Sequence, residues 1–304
     1  MAALVAGCSD DNANCETNPI ECDDAFASGG GGTGAGTPTT TSTANGGAGG
    51  TGGQGGAGGN PTCSTDPDVC DDPALPACSD DGVCVECTPD DAALCDPASA
   101  QPACNPATLA CDLCRYHSDC PASACNIFSG ECINATPITV GPDAGDDHAT
   151  LQAALAEVMT GSEGVILLKP KGSPYNEATA INIVGNRTIA ILAQGEDVTW
   201  NEDDGSSTLT VAAGTTVFIE GIAISGNTAA VAAITANGQL ALDKVEVRQN
   251  AGEGITAGSA AELRIRNSII AANANNTAAI ALGGADLQLL FSAVANANTS
   301  SMAS

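Results

Sequence analysis

The sequence predicts an all-β protein: a parallel β-solenoid preceded by a small disulfide-rich repeat region and a Gly-rich linker. Three observations carry that prediction. Apolar residues recur with a period near 23 in the C-terminal half. Twelve cysteines between Cys63 and Cys132 fall into three groups of four. Composition then changes abruptly, with no Cys beyond Cys132 and Ile, Val and Leu alternating with small polar residues.

The period appears in three columns. Val217, Leu240, Leu263 and Leu287 are spaced 23, 23 and 24 residues apart. Ile219, Leu242, Ile265 and Leu289 repeat those steps, and so do Ile224, Val247, Ile270 and Val294. A turn of this length cannot bury its own apolar face, so turns must stack and share a core. At about 3.3 Å per residue, one period makes three short strands and their corners. Asn227, Asn250 and Asn273 keep step, with Asn296 and Asn298 flanking the fourth place. A left-handed backbone suits Asn, so these residues are expected at a fixed corner, hydrogen-bonding up the coil. Ile189 and Ile191 mark an earlier, partial rung, followed by a loop through Glu202-Asp203-Asp204 read as a solvated insertion. Four or five rungs result. Upstream, Leu151, Leu155 and Val158 lie on one face of a short helix, and Gly164–Leu168 is a buried strand.

The repeat region divides into Cys63/Cys70/Cys78/Cys84, Cys87/Cys95/Cys104/Cys111 and Cys114/Cys120/Cys125/Cys132. In each unit the third Cys follows Ala, and turn-forming residues separate the third from the fourth: Ser79–Gly82, Asn105–Thr108 and Asn126–Gly130. Units of about 25 residues are too small for a hydrophobic core, so cross-links must replace it. Cys84/Cys87 and Cys111/Cys114 have the CxxC spacing of zinc sites. Both pairs straddle unit boundaries, and such Cys density implies an oxidising compartment, so disulfides are expected and no metal. The pairing within each unit stays open. Asp66, Asp68, Asp71 and Asp72 form no ordered calcium loop and are read as a solvated acidic face.

Composition restricts function. The 304 residues hold 36 Asp+Glu against 8 Lys+Arg, a formal net charge of −28. Phosphate neutralisation needs clustered cations, so no nucleic acid is expected as a partner, and anionic lipid heads are disfavoured too. Aromatic residues make up 2%, too few for a stacking platform for sugars or RNA. Gly29–Gly59 contains 16 glycines around a Thr/Ser/Pro run and reads as a disordered tether.

Leu4-Val5-Ala6-Gly7-Cys8 resembles a bacterial lipobox, whose Cys is lipidated. Seven residues precede Cys8, so residues 1–8 are read as part of a lipoprotein signal, with the full signal upstream of Met1. Setting Cys8 aside leaves 14 cysteines, with Cys15 and Cys22 as a local pair in the acidic spacer. The expected organisation is a partial signal over 1–8, spacer and linker over 9–62, three repeats over 63–134 and the solenoid over 136–304. The repeats resemble Cys-rich modules of myxobacterial surface proteins, which implies a stalk or interaction role. The solenoid resembles the right-handed parallel β-helix of the pectin-lyase superfamily. Thr150–Leu155 and Gly172-Ser-Pro-Tyr-Asn-Glu177 are similar to the capping helix and G-x-Y-x-E segment of pectinesterase-like proteins, with one extra residue before Tyr175.

That resemblance implies the fold more than the chemistry. Esterases of the superfamily use paired Asp with Arg and Gln, and lyases use a calcium-bound Asp cluster with a basic residue; neither constellation is found here. Asn227–Ala233 lacks the esterase Gln. One set of weak catalytic candidates remains: Glu220, Asp243 and Arg266, stacked by the register in one outward column. Paired carboxylates beside Arg can serve acid–base chemistry, but the column is read as a solvent-facing charge ladder. The expectation is therefore a non-catalytic bacterial surface protein without cofactor, lipid-anchored at the outer membrane or cell surface, or secreted. Its partners would be a polysaccharide or another surface protein, and it would meet the membrane only through a lipid anchor. The alternative is a polysaccharide-active β-helix enzyme. No capping element follows the last rung before Ser304, so either that rung is exposed or the chain continues.

Overall fold

The computed structural model describes Cys63 and residues 70–295, except positions 178, 203, 204, 272 and 274–277. Cys8, Cys15, Cys22, the linker, Asp66, Asp68, Asp203, Asp204, Asn296 and Asn298 lie outside the described residues.

Six disulfides bind the repeat region, all in one pattern: first Cys to third, second to fourth. They are Cys63–Cys78, Cys70–Cys84, Cys87–Cys104, Cys95–Cys111, Cys114–Cys125 and Cys120–Cys132. Each module carries one short hairpin: β1 (Ala77–Cys78) with β2 (Cys84–Val85), β3 (Ala103–Asn105) with β4 (Ala110–Asp112), and β5 (Cys125–Asn126) with β6 (Glu131–Cys132). Two residues before each fourth Cys the backbone turns left-handed, at Gly82, Leu109 and Gly130. The carbonyl of that residue accepts the N–H of the module's first Cys: Cys63 to Gly82, Cys87 to Leu109, Cys114 to Gly130. The repeat is thus a backbone repeat as well as a cysteine one. Its second copy places Leu where Gly is the unstrained choice.

β7 (Ile138–Val140) and α1 (Leu151–Val158) close one end of the solenoid. Thr150 caps α1 by accepting the Ala153 N–H. The buried carboxylate of Glu177 accepts the N–H groups of Leu151 and Gln152, satisfying two more orphan donors of the first turn. Tyr175 is buried, with its hydroxyl within hydrogen-bond distance of the Val140 and Lys169 carbonyls. The G-x-Y-x-E likeness therefore marks the residues that fasten the capping helix to the first rung.

About six turns follow. Each but the last is three strands: β8 (Glu163–Leu168), β9 (Tyr175–Glu177) and β10 (Ile181–Ile183); then β11 (Thr188–Ala193), β12 (Val198–Glu202) and β13 (Leu209–Val211). The periodic part comprises β14 (Thr216–Glu220), β15 (Ile222–Ser225) and β16 (Ile234–Ala236), then β17 (Gln239–Asp243), β18 (Glu246–Arg248) and β19 (Ile255–Ala257). β20 (Glu262–Arg266), β21 (Ile269–Ala271) and β22 (Ile280–Leu282) make the next turn, and β23 (Asp286–Leu290) with β24 (Ala293–Ala295) the last. They form three parallel sheets of seven, six and five strands. The register pairs Val217, Leu240, Leu263 and Leu287, as the period requires. The residues around Ile189 belong to a full rung, and a further rung precedes it. Their longer loops hide the period from sequence.

One continuous core runs through the coil and includes Ile166, Ile191, Trp200, Ile219, Leu242 and Ile265. On the last rung the same inward columns are uncovered: Leu289 and Val294 are exposed.

The Asn ladder exists, but not in the expected backbone conformation. Asn227, Asn250 and Asn273 are buried, and the left-handed residues sit one position earlier, at Gly226 and Gln249. The Asn250 side chain accepts the Asn227 N–H and donates to the Ile224 carbonyl; Asn273 likewise accepts from Asn250 and donates to Val247. What selects Asn is an amide that both accepts and donates toward a neighbouring turn. A second left-handed corner lies between the seven- and six-stranded sheets, at Gly221, Lys244, Asn267 and Phe291. It keeps the same 23, 23, 24 spacing. No residue type repeats there, so the sequence carries no visible motif.

Candidate functional site

The seven-stranded sheet presents two outward columns. The register gives Val165–Ala190–Phe218–Ala241–Arg264 and, two residues on, Leu167–Leu192–Glu220–Asp243–Arg266. Both begin apolar and end charged. Strands β8, β11 and β14 are thus apolar on both faces, the signature of strands covered on both sides.

The cover is the third cysteine module. Ala124, Ile133, Ile127 and Phe128 pack with Val165, Ala190, Leu192, Phe218 and Ala241 in one apolar cluster. Phe218 meets Phe128 with ring centroids 5.7 Å apart, and meets His117 in a T-shaped contact at the same distance. The two arginines close the seam. Arg264 lies over the Phe128 ring at 4.3 Å and donates to the Ile127 carbonyl at 2.7 Å, while Glu262 holds its other side. Arg266 lies over the Tyr116 ring at 4.4 Å and donates to Asp243 at 2.8 Å.

This corrects the reading of Glu220, Asp243 and Arg266 as a solvent-facing ladder. The three do stack in register, but Asp243 and Arg266 are 8% and 4% exposed. Both oxygens of Asp243 are engaged, one by Arg266 and one by the Asn267 side chain at 3.0 Å. Glu220, at the margin, pairs with the exposed Lys244 at 2.8 Å, which raises the lysine's pKa. The reason lies in the neighbouring column: Phe218 and Ala190 require a lid, and the lid extends over the charges. The sequence signal was the unbroken apolarity of Val165–Leu168 and Ile189–Leu192.

His117 and Asp119 stand on the module's side of the seam, in a 3-10 turn over His117–Asp119. Nδ1 of His117 accepts the Cys125 N–H at 3.1 Å. Burial lowers the His117 pKa, against the pull of Glu220, so the neutral ring with its proton on Nε2 is favoured. Burial raises the Asp119 pKa, opposed chiefly by the Arg115 N–H that its carboxylate accepts; the carboxylate also accepts the Tyr116 N–H.

Among the described residues, two shallow clefts stand out. One, of about 480 Å³, runs along the seam and is lined by His117, Pro121, Leu167, Leu192 and Glu220. The other, of about 500 Å³, lies against the five-stranded sheet, lined by Thr179, Asn182, Ser206, Ser207 and Thr210. Asn182 and Thr210 begin an outward polar column that continues through Thr235 and Thr256. In the sequence this face carries no signal, because one Thr per three-residue strand makes no motif.

The sulfur clusters that could hold a metal, such as Cys87, Cys95 and Cys111, consist of half-cystines. Cys84 and Cys87, and Cys111 and Cys114, belong to different disulfides. Of the proposed acidic face, Asp72 accepts the Ala74 N–H in a local turn.

A family of unknown function (DUF8331) matches residues 5–138, which span the spacer, the linker and all three cysteine modules. Nothing matches among curated proteins or among solved structures.

Proposed function

We propose that this chain is a non-catalytic bacterial surface protein, lipid-anchored through Cys8 or secreted, whose cysteine modules support a β-solenoid used for display or glycan contact. The observation that carries the reading is the covered column. The charged group best suited to acid–base chemistry is closed over by the third module, with Asp243 committed to Arg266 and Asn267. General acid–base chemistry needs a group within reach of substrate and poised to exchange its proton. Six disulfides fit an oxidising, extracytoplasmic setting. Among the described residues no helix is long and apolar enough to cross a membrane. The polar column through Thr210 and Thr235 supplies neutral hydroxyls for a glycan-contact face, and the net charge of −28 disfavours acidic polymers.

The test is to assay the purified protein on methylated and unmethylated polygalacturonate, with and without calcium, beside Asp243→Asn. No turnover is expected from either protein. Turnover that disappears in the variant makes the column an active site and ends the non-catalytic reading. A glycan panel then tests the contact role. Binding should weaken in Thr210→Val/Thr235→Val and be indifferent to Asp243→Asn. For the anchor, Cys8→Ser behind a complete signal peptide should lose acyl label and membrane association.

A further inference from the structure

The seam between the third module and the solenoid contains one group that titrates near neutral pH. His117 faces Asp119 on its own turn, Glu220 on β14, Asp243 on β17 and Arg266 on β20; Lys244 neutralises Glu220, and Arg115 flanks Asp119. Its Nδ1 is the acceptor for the Cys125 N–H, a bond that positions β5. Its ring meets that of Phe218 in a T-shaped contact.

A proton on Nδ1 would remove that acceptor and leave the Cys125 N–H without it. It would also place a second cation near Arg266, which already lies over Tyr116 one residue away. Glu220 and Asp243 pull the other way, but each already holds a cation.

We propose that His117 makes the docking of the third module pH-sensitive: the seam is closed at neutral pH and loosens in acid, uncovering Phe218 and the Glu220–Asp243–Arg266 column. The module would move as a folded unit, because Cys114–Cys125 and Cys120–Cys132 hold it together when it leaves the sheet.

The sign follows from the direction of the shift. The His117 pKa in the docked state lies below its ordinary value of 6.5, chiefly through burial. Its contribution to docking is fully present above that ordinary value and is lost as pH falls through the docked pKa. Asp119 has the opposite sign. Its pKa is raised by burial, so its contribution is present below its ordinary value of 3.8 and is lost as pH rises through the docked pKa. Loosening that sets in as pH falls from neutral therefore comes from the imidazole.

The experiment uses the full, oxidised chain. Hydrogen exchange, corrected for intrinsic rates, is followed at about pH 7.5 and about pH 5 in the wild type and in His117→Asn, whose amide oxygen can accept the Cys125 N–H without titrating. In acid, amides of 116–128 should lose protection in the wild type, about tenfold for each pH unit between the ordinary value of 6.5 and the docked pKa and no further below it. The variant should keep its protection, and so should β18 and β19 of the solenoid in both proteins. Protection of 116–128 that is unchanged in acid, or lost equally in both proteins, overturns the proposal. If His117→Asn is loose already at neutral pH, the wild-type imidazole titration decides, with His148 as the second resonance. A His117 pKa below 6.5 supports the latch, and one at or above it overturns it.

Discussion

The cysteine modules and the solenoid meet one difficulty in opposite ways. Neither a 25-residue module nor a 23-residue rung can bury enough apolar surface to fold alone. The modules restrict the unfolded chain with cross-links, two per module. The rungs add apolar columns to a shared core and depend on their neighbours. The third module does both. It keeps its two disulfides and also joins an apolar cluster with Phe218 and Ala190. The difference teaches that a cross-linked unit is suited to act as a lid, because its cross-links do not depend on the surface it covers.

Reduction tests this contrast most severely. Closing loops of this size contributes about 2–4 kcal/mol per disulfide in the chain-entropy model, and the modules have almost no core to fall back on. A reductant should unfold residues 63–132 and leave the Cys-free solenoid folded. Binding of a hydrophobic dye should rise as Val165, Leu192 and Phe218 are uncovered, with strand circular dichroism retained. Loss of both signals together would mean that the solenoid needs its lid to fold.

Breaking the charge pair beneath the lid comes next. Asp243→Ala leaves a buried Arg266 without its carboxylate, and such a loss costs about 3–5 kcal/mol. Denaturant unfolding should show it as a destabilised solenoid or an undocked module. Replacing both partners, as Asp243→Leu with Arg266→Met, should recover most of the loss, since an apolar pair of similar size removes the unpaired charge. Failure of the double variant to recover would show that the pair is needed as a pair.

A smaller effect is expected within the coil. Asn250→Ala removes the acceptor for the Asn227 N–H and the donor to Ile224, leaving buried backbone groups unpaired at about 1–3 kcal/mol. Asn250→Asp keeps the acceptor but sets a buried carboxylate against the Ile224 carbonyl, and should cost more than the alanine variant. The smallest effect has the opposite sign. Leu109→Gly relieves a left-handed residue in the second hairpin and should stabilise that module by up to about 1 kcal/mol, less the added freedom of the unfolded chain. Reductant titration resolved by module measures it. Destabilisation would mean that the Leu109 side chain matters more than its backbone.

Much of the architecture was readable because it repeats. The columns through Val217, Ile219 and Ile224 carry period, register and parallel pairing in their spacing alone. The two early rungs were only partly seen, since the step from Ile189 to Val217 is 28 residues and loops hide it. The corner at Gly221, Lys244, Asn267 and Phe291 was invisible for another reason: a left-handed φ can be met by unlike residues when the neighbours hold it. At the candidate site, stacking of Glu220, Asp243 and Arg266 was legible, while their burial was not.

The sequence by itself determined the properties that arise from spacing along the chain: the rung length, the three cysteine units, the capping helix and the charge that excludes polyanions. Tertiary structure alone decided which cysteines pair, which side of the solenoid is covered, and by what. Periodicity states which residues share a face but not what lies against it. The contact between Phe128 and Phe218 joins residues 90 positions apart with no repeat to relate them. Only the folded chain brings that lid to that face, and it turns an outward charge ladder into a buried seam.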